Sequence, residues 1–393
     1  MKILLLAPHP FYQERGTPID VYLVLRVLSE RADTKVDLLV YNEGTDIELP
    51  GLNIFRIPNL KYFRNIRPGF SFKKLVADFF MFISAWKMVI KNRYDYVHAG
   101  EEAVFFAMLF KSLFRIPYIY DLDSSIAQQI VEKKPFLRFL APVFNYLEKM
   151  AIVHAEINLP VCNALAELCE KQGSQKTFTI HDISQLKNPG ASSKGFLKKD
   201  LNINNDILMY IGNLESYQGI DLLLKSFSEA CKKTDKIDLV IIGGNQQDIK
   251  SYKEKSSKLK IENRVHFLGP RPFNQLDEYL AEADIIACPR IRGVNTPMKI
   301  FPYLHSGKPV IATDLYTHNQ ILTDKEAYLA PANAEGFSKA IVDLSESKEL
   351  RKKYGENGQE FVEKNHTYKA HKERLNNAYN WLKKNNRKLN KVA

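Results

Sequence analysis

The stretch that decides the fold lies late in the chain, at residues 297–314, and reads PMKIFPYLHSGKPVIATD. Its first part has the apolar spacing of an amphipathic helix, Gly307 supplies a helix stop, and the β-branched residues that follow predict a short buried strand. A helix that leads directly into a buried strand is the repeating unit of a parallel α/β sheet. Because such sheets bind ligands where helix N-termini meet strand ends, this stretch also predicts a ligand site.

The same alternation of strand and helix runs along the rest of the chain. Short apolar or β-branched runs predict strands at residues 2–7, 35–41, 53–57, 95–98, 118–121 and 156–159. After a polar stretch the alternation restarts, with strands predicted at residues 207–211, 238–242, 265–268, 285–287, 310–312 and 328–329. We therefore predict an α/β protein with two Rossmann-like, doubly wound parallel-sheet domains and a ligand site in a central cleft.

The chain length supports this division, because 393 residues with 45% hydrophobic content exceed one ordinary core. We expect an N-terminal domain at residues 1–184, a polar linker at 185–205, a second domain at 206–368 and a closing helix and tail at 369–393. In the closing helix, Leu375, Tyr379 and Leu382 share one face.

A net charge of +11 indicates anionic partners, among which nucleotide phosphates and anionic lipid headgroups fit best. The sequence contains no nucleic-acid-binding signature, so we expect no nucleic acid partner. Four scattered cysteines form neither a CxxC pair nor a Cys/His cluster, which argues against disulfides and a zinc site. The apolar run at the N-terminus is too short for a signal peptide, so we expect a cytoplasmic location, with association at the inner face of the plasma membrane.

Residues 297–314 resemble the sugar-nucleotide signature of the retaining family 4 glycosyltransferases, the glycosyl transferases group 1. In that family a Pro-x-Lys opens a helix, and Gly-x-Pro-Val and an Ala-Thr-Asp strand end follow. The segment 210–223 is similar to the family's strand, glycine turn and helix start beneath the donor pyrophosphate. The resemblance is best over residues 206–370 and thinner over 1–180.

The resemblance implies the GT-B architecture, in which residues 1–184 form the acceptor domain and residues 206–368 the nucleotide-sugar domain. It also implies a C-terminal helix that crosses back to the first domain. It also implies transfer of a sugar from a nucleotide-sugar donor with retention of configuration, without a bound metal and without a cofactor. The acceptor would be a glycan or a polyprenol-linked molecule in the synthesis of a cell-surface polysaccharide or glycoconjugate.

Several positions depart from the family pattern. The family usually has Arg at the position of Asn213 and Lys at that of Gln218, and both replacements donate hydrogen bonds but carry no charge. The family's two glutamates would fall at Val294 and Pro302, where no side chain can accept hydrogen bonds from a ribose. We expect nearby cations to replace the missing charges.

The donor site predicted on these grounds combines glycine turns with a basic loop. Gly212 permits close approach of the backbone to an anion, and Lys299 matches the Pro-x-Lys of the family. A solvated basic loop and an ordinary strand-to-helix turn remain the alternatives, and the glycine loop after the first strand, which includes Arg15, is equally compatible with a tight turn. The predicted donor-binding residues are Gly16, Gly212, Asn213, Gln218, Gly219, Arg290, Arg292, Asn295, Thr296 and Lys299.

Ionisable side chains gather at two neighbouring strand ends of the first domain, which is a signal for chemistry. The predicted catalytic residues are Asp123, Asp121, His98 and Glu101. The family often has a His near the place of Asp123, so this carboxylate would contact acceptor or donor sugar instead. The alternatives are that the two aspartates cap the helix that begins near Ser125, and that His98 is a half-buried structural histidine.

Basic and aromatic side chains alternate over residues 60–92 and again over 133–139, a pattern that suits an anionic membrane surface. It includes Lys61, Tyr62, Phe63, Arg64, Arg67, Phe70, Lys73, Lys74, Lys133 and Lys134. Apolar residues from Phe72 to Ile90 keep helical spacing, so a core-facing helix is the alternative. The charges in this segment argue against a transmembrane span.

Two other functions stay open on the sequence. The chain could be a GT-B protein that binds a sugar nucleotide or glycan without transfer, since the donor-site residues are altered. It could also be a sugar-nucleotide epimerase or hydrolase in which the carboxylates near Asp121 act as base and acid.

Overall fold

A computed structural model of the chain describes residues 1–13, 16–59, 66, 71–128 and 135–389, with the side chains of all these except 135–137 and 386–389. The chain divides into two compact units. The first comprises Met1–His181 and His371–Ala393, and the second comprises Asp182–Ala370.

The first unit is a parallel sheet flanked by helices. Its strands are β1 (Lys2–Ala7), β2 (Lys35–Val40), β3 (Leu52–Arg56), β4 (Tyr96–Gly100), β5 (Tyr118–Leu122) and β6 (Ile157–Pro160). Its α-helices that are described in full up to residue 172 are α1 (Gly16–Ser29), α2 (Phe72–Lys91), α3 (Val104–Phe114), α4 (Ala141–His154) and α5 (Asn163–Gln172). A further helix begins at residue 126. Within the described residues the strand order is β3-β2-β1-β4-β5-β6, so the order reverses between β1 and β4.

The second unit repeats this plan. Its strands are β7 (Asp206–Ile211), β8 (Ile237–Ile242), β9 (Val265–Gly269), β10 (Ile285–Cys288), β11 (Val310–Thr313) and β12 (Tyr328–Ala330). Its helices are α6 (Phe196–Leu201), α7 (Ile220–Cys231), α8 (Gln246–Lys258), α9 (Leu276–Glu282), α10 (Ile300–His305), α11 (Tyr316–Asn319), α12 (Ala334–Glu346) and α13 (Lys348–Asn365). The order β12-β11-β10-β7-β8-β9 reverses between β7 and β10.

The predicted fold class is confirmed, and each predicted strand occurs within two residues of its expected ends. The strands are recognisable because both faces of a parallel sheet are covered, which demands nearly continuous apolar runs. In β8, for example, every residue of IDLVII is buried. The deciding stretch forms α10 and β11, with Gly307 between them at φ +73°.

The closing helix, α14 (Tyr368–Leu389), packs on the first unit from His371 onward, as the GT-B resemblance implied. Leu375, Tyr379 and Leu382 are buried by this contact. On its polar side, Arg31 donates hydrogen bonds to the side-chain oxygens of Asn376 (2.6 Å) and Asn380 (2.9 Å).

Residues 185–205 differ from the predicted linker, because they belong to the second unit and contain α6. Leu197 of this helix is buried in the core of the unit. The carboxylate of Glu282 accepts hydrogen bonds from the backbone N–H groups of Gly195 (2.9 Å) and Leu197 (3.1 Å) at the start of α6.

No helix in the described ranges is long and apolar enough to cross a membrane.

Candidate functional site

The candidate donor site lies in the second unit, where the strand order reverses between β7 and β10. At such a reversal the loops that follow the two strands diverge and leave a crevice at the carboxyl ends. The loop after β7 carries residues 212–219, and the loop after β10 carries residues 289–299. Most of the predicted donor-binding residues stand on these two loops.

The two loops are packed backbone against backbone. A side-chain carbon added to Gly219, whose φ is +78°, would lie 1.8 Å from the carbonyl oxygen of Pro289. The N–H of Ile291 donates to the carbonyl of Tyr217 (3.0 Å), which ties the loops together. Glycine is therefore required at position 219 both for its backbone angle and for its missing side chain.

Lys299 reaches the base of the Gly212 turn. Its Nζ donates to the hydroxyl of Tyr210 (2.8 Å) and lies 4.3 Å from the centre of that ring. A side-chain carbon added to Gly212 would lie 2.6 Å from the same Nζ. The Tyr210 hydroxyl in turn donates to the carbonyl of Asn213 (2.6 Å). The ammonium group is thus aimed at the turn by an aromatic side chain of β7.

Burial lowers the pKa of Lys299 to about 8; nearby Cys288 acts in the opposite direction, and the charge of Arg290 lowers it further. Within the residues that the structure describes, Lys299 forms no ion pair with a carboxylate. A half-buried ammonium without a carboxylate is stabilised by an incoming anion, because the anion would supply the missing countercharge.

Arg290 lies beside the same crevice. Its guanidinium carbon is 5.3 Å from the ring centre of Tyr217, and its Nε donates to the carbonyl of Arg292 (2.8 Å). The backbone carbonyl of Arg290 accepts a hydrogen bond from the hydroxyl of Thr313 (2.5 Å). The structure therefore brings Arg290 and Lys299 together, whereas the side chain of Arg292 is exposed and contributes its backbone to the loop.

The loop that precedes α10 is held by α11. Thr317 donates from its hydroxyl to the carbonyl of Asn295 (2.6 Å), and Gln320 donates to the carbonyl of Val294 (2.7 Å). His318 is buried behind them, with Nδ1 3.0 Å from the carbonyl of Thr313. Because burial lowers the pKa of His318 to about 4, this imidazole is neutral at pH 7 and supports the loop structurally.

Two predicted donor-binding residues keep buried polar atoms unsatisfied. Gln218 is 6% exposed and Thr296 is 5% exposed. Within the described part of the chain, neither Oε1 of Gln218 nor Oγ1 of Thr296 has a hydrogen-bond partner. Such atoms are rare in folded proteins because leaving them unpaired costs about 1–3 kcal/mol each.

Tyr303 belongs to this site, although it was not predicted from the sequence. Its hydroxyl accepts from the N–H of Ile211 (2.9 Å) and donates to the carbonyl of the same residue. Tyr303 stands four residues after Lys299, so both project from one side of the α10 region, a signal that the helical spacing contained. Pro302 is buried in the first turn of α10, where a proline removes no helical hydrogen bond.

In the first unit, His98 and Asp121 lie side by side on β4 and β5. His98 Nε2 is 2.9 Å from Oδ2 of Asp121, and its Nδ1 is 2.5 Å from the hydroxyl of Tyr379 on α14. With the proton on Nε2, the imidazole donates to the carboxylate and accepts from the tyrosine. His98 is 1% exposed, a position that suits the structural role proposed as its alternative. Asp121 lies nearer to solvent than His98.

Glu101, another predicted catalytic residue, lies where the strand order of the first sheet reverses, in a cluster around Lys74. Lys74 Nζ is 2.8 Å from the carbonyl of Pro8 and 3.3 Å from Oε2 of Glu101, and it also pairs with Glu102. Burial raises the pKa of Glu102 to about 8, although the Lys74 charge opposes the shift. Lys74 was predicted to face a membrane. The structure corrects this prediction, because Lys74 is buried and the carboxylates of Glu101 and Glu102 compensate its charge.

Asp123 lies just beyond β5. The helix that follows is capped by Ser125, whose Oγ accepts from the N–H of Gln128 (3.2 Å). The buried carboxylate of Glu148 accepts from the N–H of Ile126 (2.7 Å) and from the hydroxyl of Ser125 (2.8 Å). Glu148 gave no sequence signal, because its partners are more than twenty residues away.

The remaining predicted site residue, Gly16, begins α1 at φ +32°. A side-chain carbon added there would meet no atom of the described residues within 4 Å, so none of these residues requires glycine at this position by contact. Its predicted partner, Arg15, lies outside the described residues.

Comparisons with known proteins agree with this geometry. Residues 193–361 match the family model described as glycosyl transferases group 1. An uncharacterized glycosyltransferase of Methanocaldococcus jannaschii is 21% identical over 312 residues, which span 79% of this chain and 70% of that protein. A phosphatidyl-myo-inositol mannosyltransferase of Mycobacterium leprae is 25% identical over 159 residues, 39% of this chain and 41% of the relative.

Solved structures show the same architecture. Sucrose-phosphate synthase from Thermosynechococcus elongatus has a TM-score of 0.75 at 18% identity, covering 97% of this chain and 98% of that one. Anabaena HepE in complex with UDP has a TM-score of 0.76 at 16% identity, covering 97% of this chain and 100% of that one. This chain therefore has the GT-B fold seen in these glycosyltransferases, and most of its second unit is similar to the glycosyl transferases group 1 family.

Proposed function

We propose that the chain is a retaining, metal-independent glycosyltransferase. It would move a sugar from a nucleotide sugar to a glycan or polyprenol-linked acceptor at the inner face of the plasma membrane, in the synthesis of a cell-surface polysaccharide or glycoconjugate. The observation that carries the proposal is the ammonium group of Lys299, which is held beside Gly212 at the strand reversal and has no carboxylate partner among the residues that the structure describes.

The donor diphosphate fits the charges of this crevice. Lys299 and Arg290 supply two cations close to each other, and α7 begins directly after Gly219. The first turn of a helix offers unpaired N–H groups and the positive end of the helix dipole to an anion. The complex of HepE with UDP makes a uridine diphosphate donor the first to test.

The uncharged residues that replace the family's Arg and Lys would bind the same diphosphate by hydrogen bonds. Asn213 and Gln218 can donate to phosphate oxygens where charged side chains stand in the family. Because Pro302 cannot bind a ribose, the donor would contact other polar atoms of the two loops, among them the unsatisfied Oγ1 of Thr296 and Oε1 of Gln218.

Leaving-group stabilisation would be the main catalytic contribution. As the bond between the sugar carbon and the diphosphate oxygen breaks, negative charge grows on that oxygen, and Lys299 and Arg290 would stabilise it. Asp123 and Asp121 would contact the acceptor or donor sugar, with His98 holding the carboxylate of Asp121.

A second candidate function is binding of a sugar nucleotide or glycan without transfer. The side chains of Val294 and Pro302 favour it, since neither can grip the transferring sugar or the ribose.

Calorimetric titration of the full chain with UDP, GDP and their common sugars tests the proposal, with transfer then assayed as release of the nucleotide diphosphate. Saturable binding of one nucleotide sugar together with acceptor-dependent release would support transfer. Binding without release, over a panel of glycan and polyprenol-phosphate acceptors, would favour the second candidate. A folded chain that binds no nucleotide would contradict both donor-site proposals.

A further inference from the structure

A group of nitrogen-bearing side chains lies in the first unit near Asp121, apart from the donor site. His371 and Arg374 stand one helical turn apart on α14, and His181 is the last residue of the unit's N-terminal segment. Arg374 is within electrostatic reach of both histidines, and Asp121 is within reach of His371. The closing helix therefore brings a guanidinium and an imidazole close to a predicted catalytic carboxylate.

The imidazole of His371 is buried and unsatisfied. It is 4% exposed, and neither Nδ1 nor Nε2 has a hydrogen-bond partner among the described residues. Burial lowers the pKa of His371 to about 4; the backbone of His181 and the charge of Asp121 act in the opposite direction, and the charge of Arg374 lowers the pKa further. At pH 7 the ring is therefore neutral and keeps one N–H group that can donate to a ligand.

Arg374 supplies the positive charge of the group. Its Nη1 is buried and, in the part of the chain that the structure describes, has no hydrogen-bond partner. Burial lowers the pKa of Arg374, and the charge of Glu373, its exposed neighbour on α14, opposes this shift. A guanidinium stays ionised at physiological pH, so this partly buried charge favours an incoming anion. His181, in contrast, is held by Asn163, whose Oδ1 lies 2.9 Å from Nε2 of the imidazole.

We propose that Arg374 and His371 bind a phosphate group of the acceptor, while Asp121 contacts a hydroxyl of the same molecule. One edge of a guanidinium offers two N–H groups and the imidazole adds a third, which suits the three oxygens of a phosphate monoester better than the two of a carboxylate. Asp121, whose carboxylate lies 2.9 Å from Nε2 of His98, would repel the phosphate and accept from a hydroxyl, so charge fixes the orientation of the acceptor. The inference rests on the proposed transfer function, and it narrows the acceptor to a phosphorylated sugar or glycan.

Calorimetric titration of the full chain with inorganic phosphate and with a panel of hexose phosphates tests the proposal. Lys299→Met serves as the parent protein, because phosphate would otherwise also enter the donor site, and chloride keeps the ionic strength constant. The parent should bind at least one hexose phosphate saturably and more tightly than inorganic phosphate, since a sugar hydroxyl also reaches Asp121. Adding Arg374→Gln or His371→Phe should weaken this binding about tenfold, because each removes N–H donors to the phosphate.

Two matched variants separate charge from geometry. Lys384→Gln removes an exposed cation of the same helix and should bind hexose phosphate as the parent does. Arg374→Lys keeps the charge without the planar fork, so its affinity should lie between those of the parent and Arg374→Gln. Thermal unfolding shows which variants are folded, and if Arg374→Gln is not, His371→Phe and Arg374→Lys carry the comparison.

Three results would overturn the proposal. They are no saturable binding of any hexose phosphate by the parent, unchanged affinity in the folded variants of Arg374 and His371, and binding of glucuronate, a carboxylate, as tight as that of the hexose phosphates. Equal affinity for inorganic phosphate and every hexose phosphate would assign the site to a free anion and would also remove it from acceptor binding. Because the parent lacks the donor-site lysine, these outcomes are separate from failure of the proposed function, which would appear as wild-type protein that binds no nucleotide.

Discussion

The hydroxyl of Tyr379 lies 2.5 Å from Nδ1 of His98, although the two residues are 281 positions apart in the chain. This contact joins the closing helix to the carboxyl end of the first sheet and continues through His98 to Asp121. The last helix therefore sets the hydrogen-bonding state of a strand residue beside a predicted catalytic carboxylate.

Replacing the tyrosine hydroxyl should weaken this arrangement. Tyr379→Phe leaves Nδ1 of a buried imidazole without a donor, which should lower the free energy of unfolding by about 1 kcal/mol. Urea denaturation measures the difference, with Tyr146→Phe, an exposed tyrosine of α4, as the control that should leave stability unchanged. Equal stability of both variants and wild type would show that the contact contributes nothing.

Lys299→Met should reduce affinity for the nucleotide diphosphate about a hundredfold, because it removes a partly desolvated charge while keeping the length of the side chain. Titration calorimetry measures the affinity, and Lys232→Met, at an exposed position of the same unit, is the matched control. If Lys299→Met bound as tightly as wild type, the phosphate site would have to be placed elsewhere.

The pKa of Lys299, lowered to about 8, predicts a pH dependence of binding. An anionic ligand favours the ammonium form, so binding near pH 8 should take up a proton, and affinity should fall as pH rises above 8. Calorimetry in buffers of different ionisation enthalpy measures this uptake directly. It should vanish in Lys299→Met, and an uptake that persists in that variant would assign the proton to another group.

Gly219→Ala should destabilise the second unit by about 2–4 kcal/mol, because the new methyl group meets the carbonyl of Pro289 in addition to the strain of a positive φ. Gly195→Ala separates the two effects: its φ is +73°, but no atom lies within 4 Å of the added carbon. That variant should cost only about 1 kcal/mol of backbone strain. Denaturant unfolding of both variants checks the difference, and equal costs would refute the steric argument.

Asp123→Asn should lower transfer activity strongly and leave stability within about 0.5 kcal/mol of wild type, since the neighbouring helix is capped by Ser125 and Glu148. Glu148→Gln is the complementary variant, which should lose stability because its carboxylate accepts buried backbone hydrogen bonds. Asp123→Asn should therefore lower turnover without changing thermal unfolding, whereas Glu148→Gln should lower the unfolding temperature. Unchanged turnover in Asp123→Asn would remove this residue from the catalytic group.

The fold was predictable from the sequence because buried parallel strands require apolar runs, and β7 to β12 contain them with turn residues between. Lys299 was predictable because it belongs to a continuous motif. The sequence left the orientation of α2 open, since apolar residues occur on both of its sides; the structure turns Ala77, Met81 and Ala85 inward and exposes Phe72 and Phe79. Of the basic and aromatic residues that the sequence assigned to a membrane surface, Lys61, Tyr62, Phe63, Arg64, Arg67, Phe70, Lys133 and Lys134 lie outside the described residues.

The features that the sequence did not reveal depend on residues distant in the chain. Lys74 is buried because β4 delivers Glu101 and Glu102 to it across more than twenty-five positions. Tyr303 acts on the backbone of Ile211, 92 residues away, through a single hydroxyl. Neither contact follows from local spacing, because each depends on which strands become neighbours.

The path of the chain through the two units has a consequence for synthesis on the ribosome. All residues of the second unit, Asp182–Ala370, are contiguous, whereas the first unit needs residues from both ends of the chain. The emerging N-terminal segment cannot bury the surface that Leu375, Tyr379 and Leu382 later cover until α14 has been synthesised. The second unit can therefore reach its native state before the first, in reverse of the usual N-terminal-first order. Until then the apolar surface that α14 covers in the first unit stays exposed.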